Sequence, residues 1–335
     1  MAKVNSGFDK QIKVGLIGYG NVGKGVELAV EQNPDMVLEG IFTRRDPTIV
    51  TTRNPTSNVM HVSELEKQLD RIDVAVLCGG SATDLSEQGP KFASMFNTVD
   101  SFDTHAKIPE YFDSVDKAAR KAGKTSIIST GWDPGLFSLL RVIEESTLPR
   151  GKSYTFWGPG VSQGHSNAIR RIKGVKYGIQ YTIPIEDALE KVRLGENPDL
   201  TKRQMHQRVC YVVPENGADL KKIKQEIATM PNYFEPYDTE VNFISEKEMI
   251  EKHSEMPHGG FVLRSGVTGD NHKQLMELKL ELYSNPEFTG SVMVAYARAA
   301  FRLNQEGQIG AKTVFDIPPV YLSIRSPEEL RRKLL

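Results

Sequence analysis

The segment IKVGLIGYGNVGKGVELAVEQ, residues 12–32, decides the fold class of this chain. Residues 12–18 form an apolar run typical of a buried strand, and residues 21–32 have the apolar spacing of a helix. Between them, residues 18–23 read GYGNVG, a G-x-G-x-x-G pattern. Such a turn lets the backbone approach a pyrophosphate closely, and the N-terminus of the helix supplies free N–H groups to bind it. The segment therefore predicts the first βαβ unit of a dinucleotide-binding domain, with a glycine turn that binds no ligand as the alternative.

Strands and helices alternate through the first 150 residues. Further strands are predicted at 36–42, 73–78, 97–102 and 125–130. Helices are predicted at 84–95, 108–122 and 135–147. Because such alternation requires right-handed crossovers, it predicts an α/β fold with a Rossmann-type doubly wound parallel sheet. Residues 46–62 contain few apolar side chains and are predicted to be a loop with weak structure.

The pattern changes after residue 150, which predicts a second, α+β domain. Its predicted elements are strands at 177–183, 208–213, 240–244, 261–265 and 274–283 and a helix at 218–230. In the last strand Leu278, Leu280 and Leu282 alternate with charged residues, so one face is expected to be buried and the other exposed. The second sheet is therefore expected to be mixed or antiparallel.

The C-terminal segment is expected to return to the first domain. Residues 291–307 have a helical pattern that ends at Gly307, and a proline-rich tail follows. We therefore predict a dinucleotide-binding domain of residues 1–150, completed by 290–335, and a second domain of residues 151–289.

The composition argues against several classes of protein. A net charge of −1 disfavours a general nucleic-acid binder, which needs a basic surface to bind phosphates. The longest apolar runs are shorter than the roughly 18 residues of a membrane span, and the first residues, MAKVNSGFDK, contain no signal-peptide core. The 2 cysteines and 7 histidines are not clustered at ligand spacing, so no metal site is predicted. We therefore expect a soluble, cytoplasmic protein without nucleic-acid or membrane partners.

Two arginines follow the second predicted strand. Thr43, Arg44 and Arg45 occupy the position at which NAD-binding domains place an acid for the ribose 2′-hydroxyl. A carboxylate there would repel a 2′-phosphate, whereas guanidinium groups and a hydroxyl donate hydrogen bonds to it. These residues predict NADP as the cofactor, and a solvated arginine pair in a loop is the alternative.

Small and polar residues follow three further predicted strands, in the segments 78–84, 101–103 and 130–135. A cofactor that crosses the carboxyl edge of the sheet would meet them, although the same residue types also favour turns. The predicted cofactor-binding residues are Gly18, Tyr19, Gly20, Asn21, Val22, Thr43, Arg44, Arg45, Cys78, Gly79, Gly80, Ser81, Ser101, Phe102, Asp103, Thr130, Gly131, Trp132, Asp133 and Pro134.

Three longer motifs carry a family resemblance: TGWDPG (130–135), FWGPGVSQGHS (156–166) and MPHGG (256–260). With them the chain resembles the meso-diaminopimelate dehydrogenases, NADP-dependent amino-acid dehydrogenases of bacterial lysine and cell-wall precursor metabolism, from GLIGYGNVG to DIPP. The resemblance implies reversible oxidative deamination of the D-configured centre of meso-2,6-diaminopimelate, which yields L-2-amino-6-oxopimelate, ammonia and NADPH. It also implies that the second domain binds the substrate and forms a homodimer.

The resemblance places two aspartates at the reacting end of the substrate. Asp103 and Asp133 are expected to face the reacting ammonium group and to move its protons. A helix N-cap before Pro134 is the alternative role for Asp133. The other residues implied near this end or in the pocket wall are Gln163, Gly164, Trp132 and Trp157. A lone tryptophan is more often part of a core.

The resemblance assigns the distal carboxylate of the substrate to Arg208, whose guanidinium group forms a fork of donors. Thr182, His258 and Asn285 are implied beside it. The alternatives are an exposed strand residue for Arg208 and a turn histidine for His258. Because a substrate that lacks the distal groups would leave buried polar groups unpaired, poor activity on D-alanine is expected.

The chain departs from the family pattern at two positions. Asn167 stands where an aspartate is expected, and Lys107 replaces an acid in the segment after Asp103. Substrate affinity or its pH dependence is therefore expected to differ from the family pattern.

Two other functions fit parts of the sequence. A homoserine dehydrogenase or related NADP reductase also opens with a glycine turn of this kind. A non-catalytic NADP-sensing protein would need a DNA- or partner-binding module, and the sequence shows neither a basic recognition helix nor an appended domain.

Overall fold

The computed structural model of the chain describes residues 11–270 and 272–335. The N-terminal decapeptide, in which no signal peptide is predicted, lies outside the described residues. The chain divides into two units, one formed by the described part of Met1–Leu139 with Pro286–Leu335 and the other by Leu140–Asn285. Within the described ranges, no helix combines the length and the apolar character needed to cross a membrane.

The strands and helices are numbered in chain order. The strands are β1 (Ile12–Ile17), β2 (Met36–Thr43), β3 (Val59–His61), β4 (Val74–Leu77), β5 (Asn97–Asp100), β6 (Thr125–Ile127), β7 (Gly151–Trp157), β8 (Gly160–Val161), β9 (Val175–Pro184), β10 (His206–Pro214), β11 (Asp238–Phe243), β12 (His258–Thr268), β13 (His272–Leu282) and β14 (Gly310–Lys312). The helices are α1 (Asn21–Glu31), α2 (Ser86–Ala93), α3 (Ile108–Ala122), α4 (Leu136–Thr147), α5 (Gln163–Arg170), α6 (Glu186–Arg193), α7 (Lys202–Met205), α8 (Leu220–Ala228), α9 (Glu246–Lys252), α10 (Asn285–Gln305) and α11 (Pro327–Leu334).

The first unit contains a parallel sheet in the order β14-β6-β5-β4-β1-β2-β3. Its buried strands are rich in β-branched and aliphatic residues such as Val14, Leu16 and Val76, which suits a sheet covered on both faces. The strand order reverses between β1 and β4, and ligands of such sheets bind at the carboxyl ends of the strands beside this switch point. The predicted Rossmann-type fold class is confirmed.

The prediction of a weakly structured loop over residues 46–62 was wrong. Val59–His61 form β3, which pairs in parallel with Ile41–Thr43 of β2 and forms the edge of the sheet. The strand has only three residues, too few for a periodic apolar pattern to appear in the sequence. The strand predicted at 125–130 is also shorter, because Ser129 adopts φ 57° and the sheet ends at Ile127.

The long helix α10 packs against α1 at close range in the first unit. A Cβ atom on Gly25 would lie 2.5 Å from the carbonyl oxygen of Pro286, and one on Gly290 would lie 2.5 Å from the carbonyl carbon of Gly25. Arg298 of α10 forms a buried ion pair with Asp35, with hydrogen bonds of 2.5 and 2.8 Å. These contacts hold the C-terminal segment in the unit that contains the glycine turn.

The described part of the second unit contains two sheets. One has the order β11-β10-β9-β8, with β10 and β11 parallel and the other pairs antiparallel. Ile169 of α5 and Ile223 of α8 belong to the same buried cluster as Cys210 and Val212 of β10. The other sheet is antiparallel, in the order β13-β12-β7. The predicted mixed or antiparallel character of the second domain is confirmed.

The expected burial of one face of β13 is wrong within this chain. On the face expected to be buried, Leu278 is 38% exposed, Leu280 is half-buried, and only Leu282 is buried. β13 is an edge strand that pairs with β12 alone. Alternation shows which side chains share a face, but it does not show whether another element covers that face.

A buried glutamate on α4 makes the stability of the second unit sensitive to pH. Glu144 is 3% exposed, and its Oε2 atom has no hydrogen-bond partner among the described residues. Burial raises its pKa to about 7 against the opposing charges of Arg264 and Arg141. Because this pKa is above the ordinary 4.5, the contribution of Glu144 to stability is present below about pH 4.5 and is lost as the pH rises through 7.

Replacing Glu144 by glutamine should therefore raise the free energy of unfolding at pH 8. We expect a gain of about 1–2 kcal/mol after allowance for solvent screening, and this gain should shrink as the pH falls towards 4.5. Urea unfolding of both proteins at pH 5 and pH 8 measures the effect. Glu145→Gln is the control, because the Glu145 side chain is 61% exposed. Equal effects of Glu144→Gln at the two pH values would contradict the assignment.

Candidate active site

The first unit has a cavity of about 320 Å³ at the carboxyl ends of β1, β2 and β4. Its lining comes from the glycine turn and from the segments that follow β2 and β4. The lining residues are Ile17, Gly18, Tyr19, Gly20, Phe42, Thr43, Arg44, Arg45, Val62, Cys78, Gly79, Gly80, Asp84 and Gln88. The cavity thus brings together the glycine turn, the arginine pair and residues 78–80, as the sequence predicted. The other predicted cofactor-binding residues, Asn21, Val22, Ser81, residues 101–103 and residues 130–134, lie outside this lining.

The three glycines of the turn have different physical roles. Gly18 adopts φ 92°, and its N–H donates to the carbonyl oxygen of Phe42 at 2.8 Å. A Cβ on Gly23 would lie 2.4 Å from the carbonyl oxygen of Gly18, so helix packing requires a glycine there. Gly20 lines the cavity, and no described residue lies within 4 Å of a Cβ built on it. The space at Gly20 and the N-terminus of α1 beside it suit a pyrophosphate.

The two arginines are held by different partners at the cavity. The Arg45 guanidinium donates to the carbonyl oxygen of Tyr19 at 2.5 Å, and the Arg45 N–H donates to Thr43 Oγ1 at 3.1 Å. Arg44 is 68% exposed along its side chain and pairs with Asp84, with 2.8 Å between Nη2 and Oδ1. Asp84 also accepts a hydrogen bond from the N–H of Gly80 at 3.0 Å. Two cations are therefore present where the ribose of a dinucleotide would lie, and they suit a 2′-phosphate.

Sequence reasoning missed Asp84 as a lining residue. Asp84 is the last residue of the segment 78–84, in which the small residues predict the approach of a cofactor. No spacing rule links an acid that follows β4 to an arginine that follows β2, so only the fold reveals the ion pair of Arg44 and Asp84.

A buried glutamate of α1 accepts hydrogen bonds that fix the glycine turn. Glu27 of α1 is 0% exposed, and its carboxylate accepts hydrogen bonds from Tyr19 Oη, from Ser57 Oγ at 2.6 Å, and from the N–H groups of Arg53 at 3.1 Å and Asn54 at 3.2 Å. Burial, followed by the hydrogen bond to Glu27, raises the pKa of Tyr19 to about 12. Tyr19 therefore remains a neutral donor that ties the turn to residues 53–57.

Replacing Glu27 by alanine should destabilise the first unit strongly, because it leaves three donors, Tyr19 Oη, Ser57 Oγ and the N–H of Asn54, without their acceptor. The N–H of Arg53 still donates to Tyr19 Oη at 2.8 Å. We expect a loss of at least about 3 kcal/mol in the free energy of unfolding, measured by chemical denaturation. Glu31→Ala is the control on the same helix, since Glu31 makes only a 3.9 Å contact with exposed Arg53 and should cost less than about 1 kcal/mol. Similar losses for the two variants would contradict this account.

In the described part of the second unit, one buried arginine has no carboxylate partner. Arg208 of β10 is 6% exposed, its Nη1 donates to Thr182 Oγ1, and its guanidinium carbon lies 3.9 Å from the centre of the Tyr237 ring. Desolvation lowers its pKa, no carboxylate among the described residues contributes to that shift, and Nε has no partner. The alternative of an exposed strand residue is therefore wrong. An anionic ligand would satisfy this cation, whereas buried Arg298 is already paired with Asp35.

Strand pairing brings other predicted residues close to Arg208. Thr182 lies opposite Arg208 in the β9–β10 pair and opposite Gly160 in the β8–β9 pair. A Cβ on Gly160 would lie 2.4 Å from the Cα atom of His258, so β8 and the start of β12 approach closely. The structure therefore groups Thr182, Arg208 and His258 in one region of the second unit.

Met256 contacts two further predicted residues, Gln163 and Asn285. Gln163 Nε2 lies 3.4 Å from Met256 Sδ, and the N–H of Asn285 donates to the carbonyl oxygen of Met256 at 3.0 Å. Gly164 follows Gln163 on α5 and is exposed. Trp157 is 39% exposed, and its ring stacks on the ring of His206 with 5.4 Å between centroids.

Comparisons with known proteins agree with this geometry. Residues 131–284 match the family model described as the diaminopimelic acid dehydrogenase C-terminal domain. The chain is 63% identical to the meso-diaminopimelate D-dehydrogenase of Lysinibacillus sphaericus over 324 residues, which is 97% of this chain and 99% of that protein.

The chain belongs to the meso-diaminopimelate dehydrogenase family.

Solved structures of this family have the same fold. A six-substitution mutant of the Clostridium tetani enzyme, crystallised with DAP, superposes with a TM-score of 0.92 at 59% identity and covers 97% of this chain and 100% of that chain. An engineered D-amino acid dehydrogenase bound to NADP+ superposes with a TM-score of 0.86 at 45% identity and the same coverage. Because family membership is shown, the homoserine dehydrogenase and non-catalytic alternatives give way.

The structure places the two aspartates expected at the reacting end on neighbouring loops of the first unit. The Asp103 side chain is exposed, and its N–H donates to Ser81 Oγ at 2.9 Å. Asp133 is half-buried. The alternative N-cap role for Asp133 is wrong, because α4 begins at Leu136.

Sequence reasoning also missed Asp100, which joins these two loops. Asp100 is 1% exposed and accepts from Tyr111 Oη at 2.7 Å and from the N–H groups of Phe102 at 2.9 Å and Ser129 at 3.2 Å. Its carbonyl oxygen accepts from the N–H and the hydroxyl of Thr130, both at 2.9 Å. Desolvation raises the pKa of its carboxyl to about 6. Asp100 and Asp103 both lie in the segment DSFDTH (100–105), and the sequence alone does not distinguish them. Burial does, because Asp100 is buried and positions the loops whereas Asp103 is exposed.

Two of the remaining predicted residues, Trp132 and Phe102, make aromatic contacts. Trp132 is 7% exposed and meets Phe137 edge to face, and Phe102 stacks on Tyr111. The two positions that depart from the family pattern, Lys107 and Asn167, are both exposed, and Asn167 Oδ1 accepts a hydrogen bond from Arg170. Neither position therefore alters a buried interaction. In the described ranges, no three His, Cys, Asp or Glu side chains are grouped in a way that would hold a metal ion.

Proposed function

We propose that the chain catalyses the reversible, NADP-dependent oxidative deamination of the D-centre of meso-2,6-diaminopimelate. The products are L-2-amino-6-oxopimelate, ammonia and NADPH. The observation that carries this proposal is the buried Arg208 guanidinium, which has no carboxylate partner in the described chain and lies within the segment that matches the family model. The C. tetani relative was crystallised with DAP, which supports the same substrate here.

NADP is the cofactor, and when bound it supplies the hydride acceptor. The residues that suit it are Thr43, Arg44 and Arg45 for the 2′-phosphate and the turn at Gly20 for the pyrophosphate. The relative bound to NADP+ supports this choice.

In the first unit we assign proton handling to Asp103 and Asp133. The substrate ammonium must lose a proton before the nitrogen lone pair can assist the departure of the α-hydrogen as hydride. A carboxylate that holds the ammonium both orients it and accepts this proton. Hydrolysis of the resulting imine then releases ammonia and forms the ketone, whose oxygen comes from water.

In the second unit we assign the distal carboxylate to Arg208 and Thr182, with His258 and Asn285 beside them. Charge-assisted hydrogen bonds from a preformed guanidinium group are strong and directional. A simple D-amino acid such as D-alanine cannot satisfy Arg208, so we expect it to be a poor substrate.

Three further properties belong to the proposal. The exposed Leu278 on edge strand β13 supports a homodimer formed by the second unit. A role in lysine biosynthesis and a cytoplasmic location follow from the substrate and cofactor of the reaction.

Ammonia-dependent oxidation of NADPH tests the reaction class. We expect turnover with L-2-amino-6-oxopimelate that requires ammonia, and no ammonia-independent reduction of aspartate semialdehyde. Good activity on aspartate semialdehyde without turnover of the amino-oxopimelate would favour a homoserine dehydrogenase-like reductase and overturn the proposal.

A further inference from the structure

A buried glutamine lies behind the anion-binding residues of the second unit. Gln180 of β9 is 0% exposed, and its Nε2 donates to Thr182 Oγ1 at 3.3 Å. The two residues are two positions apart on one strand, so their side chains share a face of the sheet. The main chain of Gln180 is also fixed, since its N–H donates to Ser166 Oγ at 3.0 Å and its carbonyl accepts from the N–H of Ser162 at 3.0 Å. The main chain of Gln180 is therefore fixed beside Thr182.

The Thr182 hydroxyl oxygen accepts from two donors. Gln180 Nε2 is one, and Arg208 Nη1, from the residue directly opposite on β10, is the other. A hydroxyl group has two acceptor positions and one proton to donate. With both acceptor positions occupied, the hydroxyl proton of Thr182 is left for a third group.

That third group is expected to be an anion. The Arg208 guanidinium has no carboxylate partner among the residues described, and its Nε atom is buried without a partner. A carboxylate that reaches this guanidinium group would also meet the free proton of Thr182. Gln180 thus determines the direction in which the threonine hydroxyl donates.

We propose that Gln180 is a positioning residue that makes the Thr182 hydroxyl a donor to the distal carboxylate of the substrate. This inference rests on the proposed function. Gln180 acts through Thr182, and its effect should appear in the affinity for the substrate and not in the chemical step.

The test is a double-mutant cycle between Gln180 and Thr182. Gln180→Met keeps the length of the side chain and removes the donor, and it should raise KM for meso-diaminopimelate about tenfold. We expect kcat and KM for NADP to stay within about twofold, since neither depends on this hydrogen bond. Thr182→Val should raise the same KM by at least as much, and the double variant should be no worse than Thr182→Val alone. Thr182→Ser should restore a KM near that of the wild type.

Two further variants serve as a control and as a substitute for Gln180→Met. Gln207→Met makes the same exchange on the neighbouring strand and should leave KM unchanged. If Gln180→Met does not fold, Gln180→Glu keeps the shape but accepts the threonine proton, and it should raise KM as well.

The results separate this inference from the proposed function. A wild-type enzyme that turns over meso-diaminopimelate with KM unchanged in Gln180→Met or Gln180→Glu would overturn the role of Gln180 alone, as would additive effects in the double variant. A wild-type enzyme that does not turn over meso-diaminopimelate would overturn both.

Discussion

Replacing Arg208 by methionine is expected to raise KM for meso-diaminopimelate about 100-fold, which corresponds to about 3 kcal/mol of lost binding. The guanidinium group is buried and lacks a carboxylate partner in the described chain, so its main anionic partner is expected to be the substrate. KM for NADP should stay within about twofold, because the cavity that suits the cofactor belongs to the first unit. Steady-state kinetics with each substrate varied in turn measures both constants.

Thermal unfolding separates a functional role of Arg208 from a structural one. Removing a buried charge that has no carboxylate partner among the described residues relieves a desolvation cost, so Arg208→Met should unfold at or above the wild-type temperature. Arg298→Met is the matched control, because it leaves Asp35 buried and unpaired and should cost about 3–5 kcal/mol. If Arg208→Met destabilised the protein as much as Arg298→Met and weakened both substrates together, Arg208 would be structural.

Replacing Arg44 and Arg45 together by alanine is expected to reduce kcat/KM for NADP by about 100- to 1000-fold, while kcat/KM for NAD changes less than about threefold. Each guanidinium group is expected to form charge-assisted hydrogen bonds with the 2′-phosphate, and each such bond contributes about 1.5–3 kcal/mol. NAD has no phosphate at this position, so it loses little. The ratio of the two kcat/KM values is the measurement.

The control for the cofactor prediction is Arg71→Ala. Arg71 is also an exposed arginine of the first unit, but it pairs with Glu39 at 2.5 Å and does not line the cavity. It should leave the NADP to NAD ratio unchanged. An unchanged ratio in the Arg44 and Arg45 double variant would contradict the assignment of the 2′-phosphate to these residues. The difference between the double variant and the wild type should also shrink at high salt, because exposed charges are screened.

The fold could be predicted from the sequence where a local pattern matches the burial that the structure shows. The segment 12–32 has an apolar strand, a glycine turn and an amphipathic helix in succession, and each signal is strong over short range. β3 has only three residues, too few for a periodic pattern, so its pairing with β2 is decided by the completed sheet. The exposure of Leu278 on β13 could not be predicted, because the pattern of a strand does not show what covers it.

The site residues also divide into those that a local pattern predicts and those that depend on contacts between distant segments. The glycine turn and the arginine pair could be located because their spacing along the chain is set by one βαβ unit. Asp84 and Asp100 act through contacts between segments that follow different strands, and Gln180 acts through a threonine two residues away whose partner is on another strand. Such residues resemble ordinary polar residues in the sequence. Only the three-dimensional arrangement shows that they are buried and paired.

The central claim is tested most directly by the rate of NADPH formation from NADP⁺ and meso-2,6-diaminopimelate with the purified enzyme. The LL-isomer, which has no D-configured centre, is the comparison substrate. The account predicts steady NADPH formation with the meso-isomer, release of ammonia in equal amount, and no reaction with the LL-isomer. No NADPH formation from the meso-isomer, or equal rates with the two isomers, would contradict it.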